Sequence, residues 1–200
     1  VFGMSVALLG AVLLKNKRAD TTLVLAALLI CINCFGRALQ ASAETLETAL
    51  LANHFIYVGA CYIPLLIAVL LSGLSGLRMP RLLKAGMITL STVIFGCSLT
   101  VDSSTIFYRS VQLKHAEGYS YLVKEYGPVH HLFVAMMILY GALMLYYVIF
   151  ALRKRKQIAV KTTMTISLLG FSVFSMYILE QVLELKFSIL TVGYLAGIAF

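Results

Sequence analysis

Long apolar runs follow one another along the chain, and short clusters of charged residues separate them. A helix needs about 20 apolar residues to cross the roughly 30 Å hydrocarbon core of a bilayer. Five inner runs are close to that length or longer, and we expect the first and last, with 14 residues each, to be truncated helices. The seven runs are 1–14, 22–43, 50–77, 83–101, 129–152, 160–182 and 187–200. The pattern predicts an all-α membrane protein, a single seven-transmembrane helix bundle over residues 1–200.

The basic residues predict how these spans are oriented. Eleven of the sixteen Lys and Arg residues follow the first, third or fifth run, four lie on the opposite side, and Arg37 lies inside the second span. Cytoplasmic loops of membrane proteins are enriched in Lys and Arg. We therefore expect an extracellular N-terminus and a cytoplasmic C-terminus, to which a soluble output domain could be attached.

One long connection, residues 102–128, differs from the spans because its apolar residues alternate with polar ones. The apolar positions on either side of a turn at residues 116–118 are Val111, Leu113, Tyr119, Tyr121 and Val123. Alternation with a period of two around such a turn is typical of a β-hairpin. We predict a short extracellular β-hairpin between the fourth and fifth helices. It could be a lid over the outer mouth of the bundle or a surface loop.

The composition supports a membrane protein and narrows the chemistry. Hydrophobic residues make up 61% of the chain and charged residues 12%, about half of the roughly 25% charged residues in soluble domains. The net charge of +8 then reflects membrane topology, and we expect no nucleic-acid partner. All four cysteines fall in predicted spans, and the sequence has no metal-binding or nucleophile motif. We expect no disulfide, no metal, no cofactor and no enzymatic activity in this chain.

Polar residues inside the second span are the most informative feature. They are spaced by four, three and four residues, which places on one helix face Asn33, Arg37, Gln40 and Glu44. Polar groups within a membrane are costly and usually face the bundle interior or a water-filled cavity. An ionised arginine here needs a partner, which Glu44, Glu180 or Glu184 could supply.

Further polar residues lie at the outer ends of other spans, whereas the inner halves are more apolar. This asymmetry predicts a cavity that opens to the outside. Alternatively, these side chains are interfacial residues that reach for headgroups and tie helix ends together. The candidate ligand-binding residues are Arg37, Gln40, Glu44, His54, Tyr57, Asp102, His131, Tyr177, Glu180 and Gln181. Gly59, which allows close helix approach, and Pro64, which removes a helix hydrogen bond, are candidates for signal transmission.

Four short stretches, taken in order with the spans, carry a family resemblance. They are Phe35-Gly36 with Gln40, residues 57–60 with Pro64, residues 100–108 with Phe107-Tyr108 at their end, and residues 125–130, Glu-Tyr-Gly-Pro-Val-His. With them the chain resembles the N-terminal seven-transmembrane sensor domain of bacterial histidine kinases and related diguanylate cyclases. It departs from the family pattern at Gln40, where glutamate is frequent, and at residues 103–105, where a histidine often follows Thr100.

The resemblance implies a receptor in the bacterial inner membrane. It would detect a small-molecule or lipid-like ligand in its outer half and signal to a cytoplasmic output domain, and we expect it to act as a homodimer. The alternative is a small membrane transporter or channel component. Transporters tend to contain paired repeats and interrupted helices at the bilayer midplane, and here only the third span contains a mid-span proline.

Overall fold

The computed structural model describes residues 2, 3, 5, 6, 10, 21–116 and 118–154, and it is mostly helical. Its elements are, in order, helices α1 (Thr21–Ala41), α2 (Leu46–Leu74) and α3 (Arg81–Leu99), strands β1 (Tyr108–Ala116) and β2 (Tyr119–Tyr126), and helix α4 (Pro128–Arg153). All four helices are long and apolar enough to cross a membrane. They coincide with the second to fifth predicted spans. The predicted spans 160–182 and 187–200, and most of the first, lie outside the described residues.

The connection between α1 and α2 is shorter than the apolar pattern suggests. Helix α2 begins at Leu46 because Thr45 caps it: the Thr45 hydroxyl accepts a hydrogen bond from the backbone N–H of Thr48 (3.2 Å). Since α1 already ends at Ala41, Glu44 lies in the turn between the helices and is exposed. The predicted polar stripe on α1 therefore ends at Gln40 and does not include Glu44.

Helices α1 and α2 run antiparallel and approach closely at two glycines. A Cβ atom at Gly59 would lie 2.6 Å from the Cβ of Asn33, and one at Gly36 would lie 2.8 Å from the carbonyl oxygen of Ala52. The side-chain amide of buried Asn33 donates a 2.8 Å hydrogen bond to the carbonyl of Ile56. The predicted close helix approach at Gly59 is thus present, and Gly59 packs against the polar face of α1.

Helices α2, α3 and α4 share a core that contains a small polar centre. Ser91 of α3 donates to the backbone carbonyl of Cys61 (2.9 Å), and its hydroxyl also pairs with that of Tyr140 on α4 (2.9 Å). The Tyr140 hydroxyl also lies 2.7 Å from the carbonyl of Met87. Because each hydroxyl has one proton, Tyr140 donates either to Ser91 or to Met87 while Ser91 donates to Cys61. Both hydroxyl groups are buried and each has a hydrogen-bond partner, which keeps their cost in an apolar core low. The core shared by α2, α3 and α4 is thus less apolar than the sequence suggests.

The predicted hairpin is present. Strands β1 and β2 pair antiparallel from Ala116↔Tyr119 to Tyr108↔Tyr126, with a bulge at Arg109. Gly118 in the turn has a φ of +87°, a backbone conformation that glycine adopts at little cost. The predicted turn and antiparallel pairing are therefore confirmed, whereas the predicted alternation fails on β2, where Val123 is exposed and Lys124 is partly buried.

The base of the hairpin is held directly on α4. The N–H of Gly127 donates to the carbonyl of Phe107 (2.9 Å), and the N–H of Val129 donates to that of Ile106 (3.1 Å). A side chain at position 127 would overlap the carbonyl of Ile106, so the chain can close here only with glycine. Pro128 then starts α4, in the first turn, where a missing N–H costs nothing.

Candidate functional site

The hairpin is anchored to the first three turns of α2 by two side-chain hydrogen bonds. The Tyr108 hydroxyl of β1 donates to the Tyr57 hydroxyl of α2 (2.6 Å). The Lys124 ammonium of β2 donates to the Oδ1 atom of Asn53, one turn earlier on α2 (2.7 Å). These contacts show that the hairpin is held against α2 and is not a free surface loop. We refer to residues 107–127 as the hairpin lid.

Aromatic rings fill the space between the hairpin lid and the helices. The Phe107 ring is fully buried and packs edge-on against Tyr57 and Tyr108, with centroid distances of 5.0 Å to each. The His130 ring stacks on Tyr126 at 3.8 Å with an interplanar angle of 10°. The members of this aromatic cluster are Tyr57, Phe107, Tyr108, Tyr126, His130 and Phe133. The cluster makes the lid and the ends of α2 and α4 one packed unit.

Two cations flank the aromatic cluster. The ammonium of partly buried Lys124 lies 5.1 Å from the ring centroid of Tyr108 and 5.9 Å from that of Tyr57. The Arg37 guanidinium on α1 donates through Nε to the Asn33 Oδ1 atom (3.2 Å). Burial, and then the positive charge of Arg37, lowers the pKa of Lys124 to about 7. The two cations are therefore close enough to repel each other in a poorly solvated site.

Three buried polar atoms around these groups have no hydrogen-bond partner in the described part of the chain. They are the Nδ2 atom of Asn53, the Nε2 atom of His54 and the Nδ1 atom of His130. Asn53 is 0% exposed and His130 is 4% exposed. Buried polar groups in native proteins are nearly always paired, so such a group calls for a physical reason, such as a bound ion or molecule.

The structure brings some of the predicted site residues together and separates others. Tyr57 is buried in the aromatic cluster, and His54, Arg37 and Gln40 are partly buried at the same end of the bundle. Three others are exposed: Glu44, Asp102 and His131. Tyr177, Glu180 and Gln181 lie outside the described residues.

Sequence reasoning chose His131 where the structure buries its neighbour. Adjacent residues on a helix point about 100° apart, so only one of the pair can face the aromatic cluster, and that one is His130. The sequence pattern also misses Asn53, Tyr108 and Lys124. The apolar alternation places Val123 on the inner face of the hairpin and therefore predicts that Lys124 is exposed. In the structure Val123 is exposed and Lys124 is partly buried.

Residues 1–199 match the family model described as the N-terminal 7TM region of histidine kinase. The chain belongs to this family. It is accordingly the membrane sensor region of a histidine kinase, and not the catalytic part. Neither the search of curated proteins nor that of solved structures finds a match to the chain.

The structure gives a physical role to two stretches that carried the resemblance to histidine kinase sensor regions. Phe107 and Tyr108 seat the hairpin lid on α2, and Gly127 and Pro128 close its base and begin α4. Between residues 21 and 154, apart from the undescribed position 117, no three His, Cys, Asp or Glu side chains gather as a metal site would require.

Proposed function

We propose that this histidine kinase sensor region detects a small ligand beneath the hairpin lid and passes the signal to a cytoplasmic output domain beyond its C-terminus. The observation that carries the proposal is the buried Asn53: it anchors the lid through Lys124 and keeps an unpartnered Nδ2 atom beside that anchor. A ligand that bonds to this amide competes with, or reinforces, the contact that holds the lid.

The lid contacts supply the two-state element that a sensor needs. A ligand shifts an equilibrium only as far as its affinity differs between the two states. With the lid seated, Tyr108 and Lys124 are bonded to α2, and with the lid displaced both bonds are lost. A ligand bound under the lid therefore changes the forces on α2 directly.

Helix α2 connects this site to the other end of the bundle. It runs for 29 residues, carries Asn53 and Tyr57 near its start, and packs on α1 through Gly59. Pro64 lies farther along and removes one backbone donor inside the helix. A shift of α2 at the lid would thus act first on its close contact with α1 and then on the weakened turn at Pro64. We place the extracellular side at the lid, and we expect the protein to act as a homodimer.

The experiment uses the full-length kinase in nanodiscs, with autophosphorylation as the output. Tyr108→Phe removes the hydroxyl that bonds Tyr57 but keeps the ring, and Tyr119→Phe, on the same hairpin, is the matched control. A hydrogen bond is worth about 1 kcal/mol, so the two-state equilibrium should shift roughly fivefold. We expect several-fold altered basal autophosphorylation in Tyr108→Phe and an unchanged level in Tyr119→Phe.

Equal basal activity in the two variants and the wild type would contradict the proposal, because the lid would then not be coupled to output. Protein amount in the membrane and Lys124 accessibility are measured in parallel, so that a folding defect is recognised. If the folded Tyr108→Phe variant shows solute flux in liposomes and no change in phosphorylation, the transporter alternative takes the place of the sensor.

A further inference from the structure

The two cations at the lid lack a counter-charge in the described part of the chain. Lys124 donates to a neutral amide, Arg37 donates to another, and the charge that acts on Lys124 is that of Arg37, of the same sign. The acidic residues among those described are all exposed, and they are Glu44, Glu47, Asp102 and Glu125. Poorly solvated charges in proteins are normally paired with an opposite charge.

The hydrogen-bonding groups beside Lys124 and Arg37 are donors that lack an acceptor. In its charged form Lys124 can only donate, so the Asn53 amide then turns its oxygen towards Lys124 and its NH₂ group away. That NH₂ group is the buried, unpartnered Nδ2 donor. Three donor groups, from Lys124, Arg37 and Asn53, are thus available at one end of the bundle, whereas no carboxylate of the described residues reaches them.

We propose that the ligand of this site is an organic anion whose carboxylate- or phosphate-sized group is held by Lys124, Arg37 and Asn53, with its apolar body against the aromatic cluster. This inference rests on the proposed sensor function and specifies its ligand class. An anion neutralises both cations at once and accepts from the unpartnered amide, which no neutral ligand does. Rings such as Tyr57 and Phe107 offer apolar and edge-on contacts to the rest of the molecule.

The same anionic chemistry has two sources, a soluble molecule and a lipid headgroup. The test therefore uses sodium benzoate as a soluble aromatic carboxylate, benzamide as its neutral isostere, and nanodiscs with or without phosphatidylglycerol. The readout is the rate at which an amine-reactive reagent labels Lys124 in the full-length kinase, followed by mass spectrometry at constant ionic strength. Lys114, exposed on β1 of the same hairpin, is the internal control.

We expect benzoate, or phosphatidylglycerol, to slow the labelling of Lys124 several-fold and to leave Lys114 unchanged. Protection by benzoate identifies a soluble source and protection by phosphatidylglycerol alone identifies a lipid. Arg37→Gln should abolish the protection, and Arg37→Lys should retain it, which also separates loss of charge from misfolding. Protection by benzamide equal to that by benzoate would overturn the proposal, as would full protection in Arg37→Gln or no protection by either anion.

An internal carboxylate is the competing explanation for the two cations, and the sequence offers Glu180 for that role. If Glu180 neutralises them, Lys124 of the wild type is not protected by anions, and protection arises only in Glu180→Gln; that result overturns the proposal. Failure of the anion class is distinguishable from failure of the sensor function. Absence of anion protection with altered output in Tyr108→Phe leaves the sensor in place, and protection without altered output leaves only a binding site.

Discussion

Replacing Gly59 with alanine tests the helix packing that positions the candidate site. The new Cβ atom would lie 2.6 Å from the Cβ and 2.7 Å from the Nδ2 atom of Asn33. Real Cβ atoms do not come so close to other heavy atoms, so α1 and α2 must separate or Asn33 must turn. Either movement weakens the bond from Asn33 to the carbonyl of Ile56.

The expected loss follows from three contributions. Overpacking of a well-packed contact costs typically 1–3 kcal/mol, and the Asn33 hydrogen bond contributes about 1 kcal/mol. Alanine in place of glycine in a helix recovers up to about 1 kcal/mol. We therefore expect Gly59→Ala to lower the free energy of unfolding by about 1–3 kcal/mol.

The assay is reversible unfolding in mixed micelles with increasing dodecyl sulfate, followed by circular dichroism. Gly96→Ala on α3 is the matched control, because a Cβ built there meets no described atom within 4 Å apart from its chain neighbours and the adjacent backbone of its own helix. It should leave stability unchanged or raise it by up to about 1 kcal/mol. If Gly59→Ala proves as stable as Gly96→Ala, the close contact between α1 and α2 is not present in the membrane.

Tyr140→Phe should lower the unfolding free energy by about 1 kcal/mol, since the buried hydrogen bond of its hydroxyl to Ser91 or Met87 is lost, whereas exposed Tyr146→Phe should not. Gly118→Ala should destabilise the hairpin by about 1 kcal/mol because of its φ of +87°, seen as faster Lys124 labelling; an unchanged rate would refute it. Because the pKa of Lys124 falls to about 7 from 10.5, the unfolded state binds more protons between these values, so stability should rise with pH there. This rise should be absent in Lys124→Met.

The hairpin shows how much local sequence can determine. Alternating apolar residues fix which segments pair, and Gly118 supplies the one backbone conformation that the turn needs. The apolar runs likewise predict where the four described helices lie, to within a few residues. Helices and hairpins form between residues that are close in the chain. The sequence therefore shows them directly, as an apolar period of 2 residues in strands and 3.6 in helices.

The candidate site was predicted only in part. The sequence directed attention to Arg37, Tyr57 and Gly59, because polar and small residues in an apolar span are expensive or unusual, and the structure places all three at the contact of α1 and α2 with the hairpin. It placed Glu44 on α1, although the cap at Thr45 starts the next helix too early for that. It also chose His131, although the structure buries His130, since the order of the two in the chain does not say which one faces the bundle.

Length and composition alone determined a membrane protein, and apolar runs with a period-two segment determined its helices and hairpin. The tertiary structure alone decided that the hairpin is held on α2 and that Lys124 and Arg37 lie at the same end of the bundle without a described counter-charge. The contacts responsible join residues far apart in sequence, 71 positions for Lys124 and Asn53 and 51 for Tyr108 and Tyr57. Such contacts have no local periodicity, because they exist only after the helices have packed and the chain between them has closed over their ends.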